Sequence, residues 1–238
     1  MRPPTELIPV SRNRILTALP REDYEALRPY QQTMRLPKGK IVYDSGDQIR
    51  QLYFPLDGMI SLLSTTSSGA TLEVGVVGNE GVVGVPALLG INTSPYRIMV
   101  QLPSTAARFP ADAFREAARR SPRLEALLLK YIHTLITQLA QGAVCNRFHA
   151  TEARLCRWLL LSRDRAGSET LNLTQEFLSY MLGVPRTTVT AIAGNLQRDG
   201  LIEHGRGRIQ ILDARRMEAA ACECYQIVRE DVELYLSA

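Results

Sequence analysis

No run of this chain reaches the roughly 18 apolar residues of a membrane span, so no transmembrane helix is expected. Cysteine is scarce and one-sided: Cys145, Cys156, Cys222 and Cys224 are the full set, all in the C-terminal half. In a cytosolic chain of this size they read as buried thiols rather than a disulfide framework. Histidine is scarcer still, and His133, His149 and His204 are scattered without metal-ligand spacing, so no metal site is expected. Cys222-x-Cys224 invites metal or redox chemistry, but two thiols one residue apart on a helix point to different faces. There is no Ser/His/Asp, metal or nucleotide-hydrolysing constellation, which argues against an enzyme. Internal repeats and low-complexity segments are also missing. No apolar stretch follows Met1 to Glu6, so a signal peptide is not expected and the protein reads as soluble and cytoplasmic.

What is present is an ordinary globular composition: 238 residues, 45% hydrophobic and 22% charged. Such a chain buries a proper core in one large or two ordinary domains. Lys and Arg total 28 against 24 Asp and Glu, a net charge of +4. This mild excess suits nucleic acid as a partner, although the placement of the charges matters more than their sum.

The texture changes along the chain. Ser11 to Leu27 reads as a short helical lead-in, capped by Ser11, carrying Ile15, Leu16, Leu19 and Leu27, and broken at Pro20. From Gln31 to Phe109 short Val-, Ile-, Leu- and Thr-rich runs alternate with turn residues. Lys38-Gly39, Ser45-Gly46-Asp47, Leu56-Asp57-Gly58 and Ser67-Ser68-Gly69 recur about every ten residues, the spacing of a small sandwich or barrel. Between them lie strand-like Ile41 to Tyr43, Leu52 to Phe54, Met59 to Leu63 and Thr71 to Val74. After Pro110 the period becomes helical. Ala111 to Arg120 reads as a short helix, and Pro122 opens a long one. Its Leu128, Ile132, Leu135, Leu139 and Gly142 follow the four-then-three spacing of a coiled-coil seam, beside a second stripe of Leu124, Leu127 and Tyr131. The seam suits either packing on the chain's own β domain or a dimer interface. Asn146 to Arg165 is a further amphipathic helix.

Leu171 to Leu212 carries the functional signal. Thr174 caps a helix whose buried side is Phe177, Leu178 and Met181. Leu182-Gly183-Val184 makes a turn, and Pro185 suits the first turn of the next helix. In that helix Val189, Ile192 and Leu196 face inward, leaving Arg186, Thr187 and Thr190 outward at its N-terminal end. A recognition helix presents that end to base edges, where Arg bonds guanine and Thr bonds bases or touches thymine methyls. Leu201-Ile202 and Ile209 to Leu212 read as wing strands, and His204-Gly205-Arg206-Gly207-Arg208 as a basic hairpin tip. Phosphate contacts are expected from Thr174, Thr188, Arg198, His204, Arg206 and Arg208. Helix-turn-helix units also serve as plain packing units, but here turn, outward Arg and Thr, and basic wing occur together in order.

With these residues in place, the chain resembles the Crp/Fnr family (cyclic-AMP receptor protein / fumarate-nitrate reduction regulator) from about Gln31 to Leu212. The most specific stretches are Leu173 to Glu176, Arg186 to Val189 and Leu196 to Ile202. The resemblance implies an α+β protein: an N-terminal cyclic-nucleotide-binding-like β-roll (jelly-roll), a long dimerisation helix and a C-terminal winged helix-turn-helix. The corresponding bounds are residues 1–121, 122–145 and 146–238. It implies a homodimeric bacterial regulator on an inverted-repeat operator of double-stranded DNA, with RNA polymerase as a further partner and the dimer held by Leu128, Ile132, Leu135 and Leu139. Arg186 falls where the family places a base-reading Arg. Thr187 stands where Glu is frequent, and Ala191 where Arg is frequent, which leaves the operator open.

The family's nucleotide cassette is a Gly-Glu pair followed by an Arg with Ser/Thr and Ala, the Glu for a ribose hydroxyl and the Arg for the cyclic phosphate. Here Gly84 is followed by Val85, and Arg97 by Ile98-Met99. The effector pocket would centre on Gly84, Val85 and Arg97, yet cyclic AMP is not the expected ligand, and Arg97 reads slightly better as a solvated strand residue. Iron–sulfur chemistry is not expected either, because cluster-bearing members place most of their cysteines near the N-terminus. Haem stays open. The competing class is a ligand-binding or protein-interaction module whose winged helix contacts protein; Arg206 and Arg208 favour DNA.

Overall fold

Seven strands between Gln32 and Pro110 build the N-terminal domain. The computed structural model describes residues 12–205 and 207–237. Ser11, the expected cap, lies outside them; within them α1 (Arg14–Thr17) is capped by Asn13, and α2 (Arg21–Leu27) starts after Pro20. Then come β1 (Gln32–Leu36), β2 (Ile41–Tyr43), β3 (Gln51–Pro55), β4 (Met59–Thr65), β5 (Thr71–Val77), the short α3 (Val85–Leu88), β6 (Arg97–Leu102) and β7 (Ser104–Pro110). They form two antiparallel sheets, ordered β1-β7-β3 and β2-β6-β4-β5. The roll is filled by Leu36, Leu52, Ile60, Leu62, Val100 and an aromatic knot of Phe54, Phe109 and Phe114 with centroids 4.9–5.4 Å apart.

Strand β4 is buried at five consecutive positions, Met59 to Leu63, where a one-faced strand alternates. Ile60 and Leu62 turn into the roll; Met59 and Leu63 join a second core with Val76 and Leu102. That second core belongs to the helices that follow.

Helix α4 (Ala111–Arg120) closes the roll with Phe114, and α5 (Pro122–Phe148) runs about 40 Å at 1.5 Å per residue. Ser121 caps α5: its Oγ accepts from Leu124 N at 3.1 Å and donates to Asp23 Oδ2 at 2.7 Å. The helix extends past the expected end at residue 145; the break comes at His149-Ala150, both extended, before α6 (Thr151–Ala166). The remaining elements are β8 (Thr170–Leu171), α7 (Gln175–Leu182), α8 (Arg186–Arg198), β9 (Ile202–Gly205), β10 (Arg208–Ile211), α9 (Ala214–Ala220) and α10 (Cys224–Ser237). No helix among the described residues is long and apolar enough to cross a membrane.

The four-then-three stripe on α5 packs toward the chain's own roll. Leu128 is 5% exposed inside the chain's own core, and Ile132 and Leu135 pack against that core. Leu139 lies against the roll, its Cδ2 2.9 Å from where a Cβ at Gly75 would stand. Besides Val144 and Phe148 near its C-terminal end, the large apolar side chains left exposed on α5 are Leu129 at 57% and Ile136 at 60%. This stripe is offset by one position, about 100° around the helix, and has the same period, so periodicity alone could not separate the two.

The helical half docks on the roll through polar anchors as well as the second core. Arg165 Nε donates to Glu80 Oε1 at 2.9 Å, with both side chains under 9% exposed. Trp158 Nε1 donates to Glu73 Oε1 at 2.8 Å, and Ser61 Oγ to Glu73 Oε2 at 2.7 Å. Burial pushes the Glu73 carboxyl up to about 7, against the pull of those two hydrogen bonds.

Two stability predictions follow from these anchors. Glu80→Ala leaves the Arg165 charge buried and uncompensated, an expected loss of about 3–5 kcal/mol in denaturant unfolding, whereas replacing both partners with apolar residues recovers most of it. For Glu73, whose folded pKa lies above the unfolded value, the folded state holds the proton more tightly, so its ionisation erodes stability as pH rises from about 4.5 to about 7. Glu73→Gln mimics the protonated form. It is expected to match the parent near pH 4 and to exceed it by about 1–3 kcal/mol at pH 8 in parallel unfolding curves.

Candidate functional site

Local rules in the sequence build the helix-turn-helix. Thr174 Oγ1 accepts from Phe177 N at 3.1 Å and starts α7. Gly183 stops it in the left-handed region at φ 64°, where a side chain is strained. Pro185 is the N-cap of α8, one position before the first helical residue, Arg186. Val189, Ala193 and Leu196 are buried and seat α8 in the second core, with Ile192 partly buried beside them.

The opposite face carries the expected base readers. Arg186, Thr187 and Thr190 are exposed, as is Ala191, and Thr188 is half-buried. Thr190 Oγ1 is 2.7 Å from Gln175 Oε1 and 3.0 Å from Arg186 O, so its hydroxyl ties α8 to α7. The wing pairs β9 with β10 antiparallel, Gly205 opposite Arg208 and His204 opposite Ile209. Arg208 is exposed, while His204 is half-buried and its backbone N–H donates to Gln197 Oε1 at 2.9 Å. Arg206 lies outside the described residues. Thr174, Arg186, His204 and Arg208 line one cleft between α8 and the wing. Arg198 sits at the far end of α8, about 18 Å along the axis, donating to Asn195 Oδ1. The first turn of α8 contains no acidic residue, so its positive dipole end and Arg186 act together on an anion.

The three effector-pocket residues do not assemble into a nucleotide cassette. Gly84, at φ 103°, caps α3, and a Cβ there would stand 2.8 Å from Leu52 Cδ2. Val85 is 9% exposed and belongs to the roll core, offering no acceptor. Arg97 is exposed at the start of β6 and holds Asp44 through two bonds of 3.0 and 2.9 Å. That ion pair lowers the Asp44 carboxyl below its ordinary range.

Sequence spacing missed one grouping. Cys222 lies before α10 rather than on it, so helical periodicity does not separate it from Cys224. Both thiols meet Cys145 and His149, and the four donor atoms lie within 4.8 Å of one another. The readable clue was Cys145-x3-His149, two ligand types one helical turn apart on α5. His133 and His204 take no part.

Comparison with known proteins agrees with this architecture. Residues 33–121 match the model of the cyclic nucleotide-binding domain, and residues 153–220 that of the Crp-like helix-turn-helix domain. The global nitrogen regulator of Nostoc sp. is 24% identical over 183 residues, 73% of this chain and 82% of that protein. The transcriptional regulator SdrP of Thermus thermophilus is 28% identical over 172 residues, 71% and 83% of the two chains. Among solved structures, FixK2 from Bradyrhizobium japonicum superposes with a TM-score of 0.69 at 14% identity, covering 81% of this chain and 98% of that one. A Crp/Fnr-family regulator from Eubacterium rectale gives 0.66 at 17% identity, covering 87% and 96%.

Arg186 on α8 and Arg208 on the wing line the same cleft from two different elements. Arg186→Ala is expected to cost about 1–3 kcal/mol per half-site on the preferred DNA and to narrow its margin over random DNA. Arg208→Ala is expected to weaken both DNAs alike and flatten the salt slope by about one. Titrations of both DNAs at several salt concentrations check this; equal losses for Arg186→Ala would make it a phosphate clamp.

Proposed function

Because the chain belongs to the Crp/Fnr family of transcriptional regulators, with a helix-turn-helix DNA-binding domain behind a cyclic nucleotide-binding-type domain, we propose that it works as a cytoplasmic homodimer on an inverted-repeat operator, under an effector other than cyclic AMP. Arg186, Thr187 and Thr190 face the bases. Phosphates are contacted by Thr174, Thr188, Arg198, His204, Arg206 and Arg208, and RNA polymerase is the partner through which binding is read out.

The observation that carries the dimer is the exposed stripe of α5. Leu129 and Ile136, seven residues apart, are more than half exposed, and His133, Ala140 and Ala143 complete the four-then-three spacing with exposed positions. A second copy of α5 covers this stripe by the same seam, and two-fold symmetry then presents two α8 helices to half-sites about 34 Å apart. The effector reading rests on Val85, which puts a buried aliphatic where a ribose acceptor is needed, and on Arg97, which Asp44 already engages.

Selection of bound fragments from genomic DNA, followed by footprinting, tests the operator; an inverted repeat is the expected product and a single unpaired site overturns it. Sedimentation at micromolar concentration tests the dimer. Ile136→Glu is expected to give a folded monomer with at least about a hundredfold weaker operator binding, since buried like charges face each other across the two-fold. A parent monomer, or a dimer indifferent to Ile136→Glu and Leu129→Glu, overturns the assignment.

A further inference from the structure

Cys145, His149, Cys222 and Cys224 meet where α5 ends. Cys145 and His149 share one face of its last turn, and His149 is its C-cap. Cys222 comes from the connection between α9 and α10 and Cys224 opens α10, both beyond residue 220, where the helix-turn-helix model match ends. The three thiols form a small core of their own, apart from the two large ones, with exposures of 0, 8 and 0%. Cys145 Sγ is 3.5 Å from Cys222 Sγ, and Cys224 Sγ is 3.3 Å from His149 Nδ1.

We propose that these four side chains form a mononuclear tetrahedral site for a zinc-type divalent cation, which staples α10 to the end of α5. Ligands 2.0–2.3 Å from one ion in a tetrahedron stand about 3.5–3.8 Å apart; here one thiol pair is 3.5 Å apart, one thiol–imidazole pair 3.3 Å, and all four donors lie within 4.8 Å of one another. Donors this close converge on a point, so a single ion fits and a multi-iron cage does not. Three sulfurs and one imidazole nitrogen are a zinc donor set, and with four protein ligands the site is closed, structural rather than catalytic.

The surroundings complete the arrangement. Glu223 Oε1 is 3.1 Å from His149 Nε2, which fixes the tautomer that leaves Nδ1 free to coordinate. Gln141 Nε2 donates to Cys224 Sγ at 3.1 Å. Three thiolates around a divalent cation leave one net negative charge. Arg157 and Arg154, both near enough to interact electrostatically with Cys145, stand ready to balance it. Binding displaces the thiol protons, so affinity rises with pH. The remaining cysteine, Cys156, is a different kind of thiol: it lies in the second core, and burial pushes it up to about 12.

The staple sits at the hinge. His149 and Ala150 are the only residues between α5 and α6, so an ion on His149 fixes the direction in which the DNA-binding half leaves the long helix. The test uses the full chain purified under reducing conditions, with zinc measured by elemental analysis and cobalt(II) as the spectroscopic probe. About one zinc per chain is expected, with intense visible bands from tetrahedral thiolate-bound cobalt. Cys222→Ser is expected to abolish those bands and Cys156→Ser to leave them. Glu223→Gln, an exposed position that folding tolerates, is expected to weaken zinc about 10–100-fold. Iron with a broad visible chromophore, a Cys145–Cys222 disulfide in the reduced preparation, zinc no tighter than micromolar, or zinc affinity indifferent to both Cys222→Ser and Glu223→Gln overturns the proposal.

Discussion

Arg165 and Glu80 meet where four stretches of chain cross. Glu80 comes from the turn after β5, where its Oε1 also accepts from Gly78 N at 3.0 Å. Arg165 comes from the last turn of α6, its guanidinium also within reach of Leu161 O and Gln138 Oε1, the latter on α5. Tyr235 of α10 donates to Glu80 O. A buried ion pair of this kind adds little net stability against an apolar replacement, yet each charge forbids any arrangement that leaves the other behind. The roll, long helix, α6 and terminal helix are thereby held in one register, and the apolar contacts of Met59, Leu63, Val76 and Leu102 fill in around it.

What local chemistry dictates was legible in the sequence. The cap at Thr174, the stop at Gly183 and the inward Val189 and Leu196 lie within twenty-odd residues of one another, and each acts on its own neighbourhood. The turn signals of the roll act in the same way: they bracket β2 through β5, whereas β1, β6 and β7, the last two joined at Pro103 without a glycine, carry no separate mark within the β-rich region. The rest depends on contacts between distant parts of the chain. Which apolar stripe of α5 faces home depends on the roll packed against it, and two stripes of equal period carry no label. The convergence of Cys145 on Cys222 spans 77 positions and depends on α10 folding back along α5. No spacing rule reaches that far.

Electrostatics divides the molecule in a useful way. The ion pairs at the periphery, such as Arg97 with Asp44 and Arg28 with Glu25, are solvated on both sides and contribute little. The ionisable groups that carry information are inward: Glu73 under Trp158, Glu80 under Arg165, and the thiols at the end of α5. Glu73 and Glu80 stand between the roll and the helical half, while the exposed face of α8 carries Arg186, Thr187 and Thr190. A carboxyl raised to about 7 by burial at such a boundary sits within the range where modest changes in hydration alter its charge.

The double-sided burial of β4 bears on the order in which the protein can be made. The roll is synthesised first, yet the face holding Met59 and Leu63 waits for Trp158, Leu159 and Met181, roughly a hundred residues later. At synthesis speeds of about 5–20 residues per second the roll spends several seconds with one sheet dry on the inside and bare on the outside. During that interval the nascent chain presents an apolar strand of unusual continuity, the kind of surface a chaperone recognises. The two halves are therefore separate units of architecture but a single unit of folding.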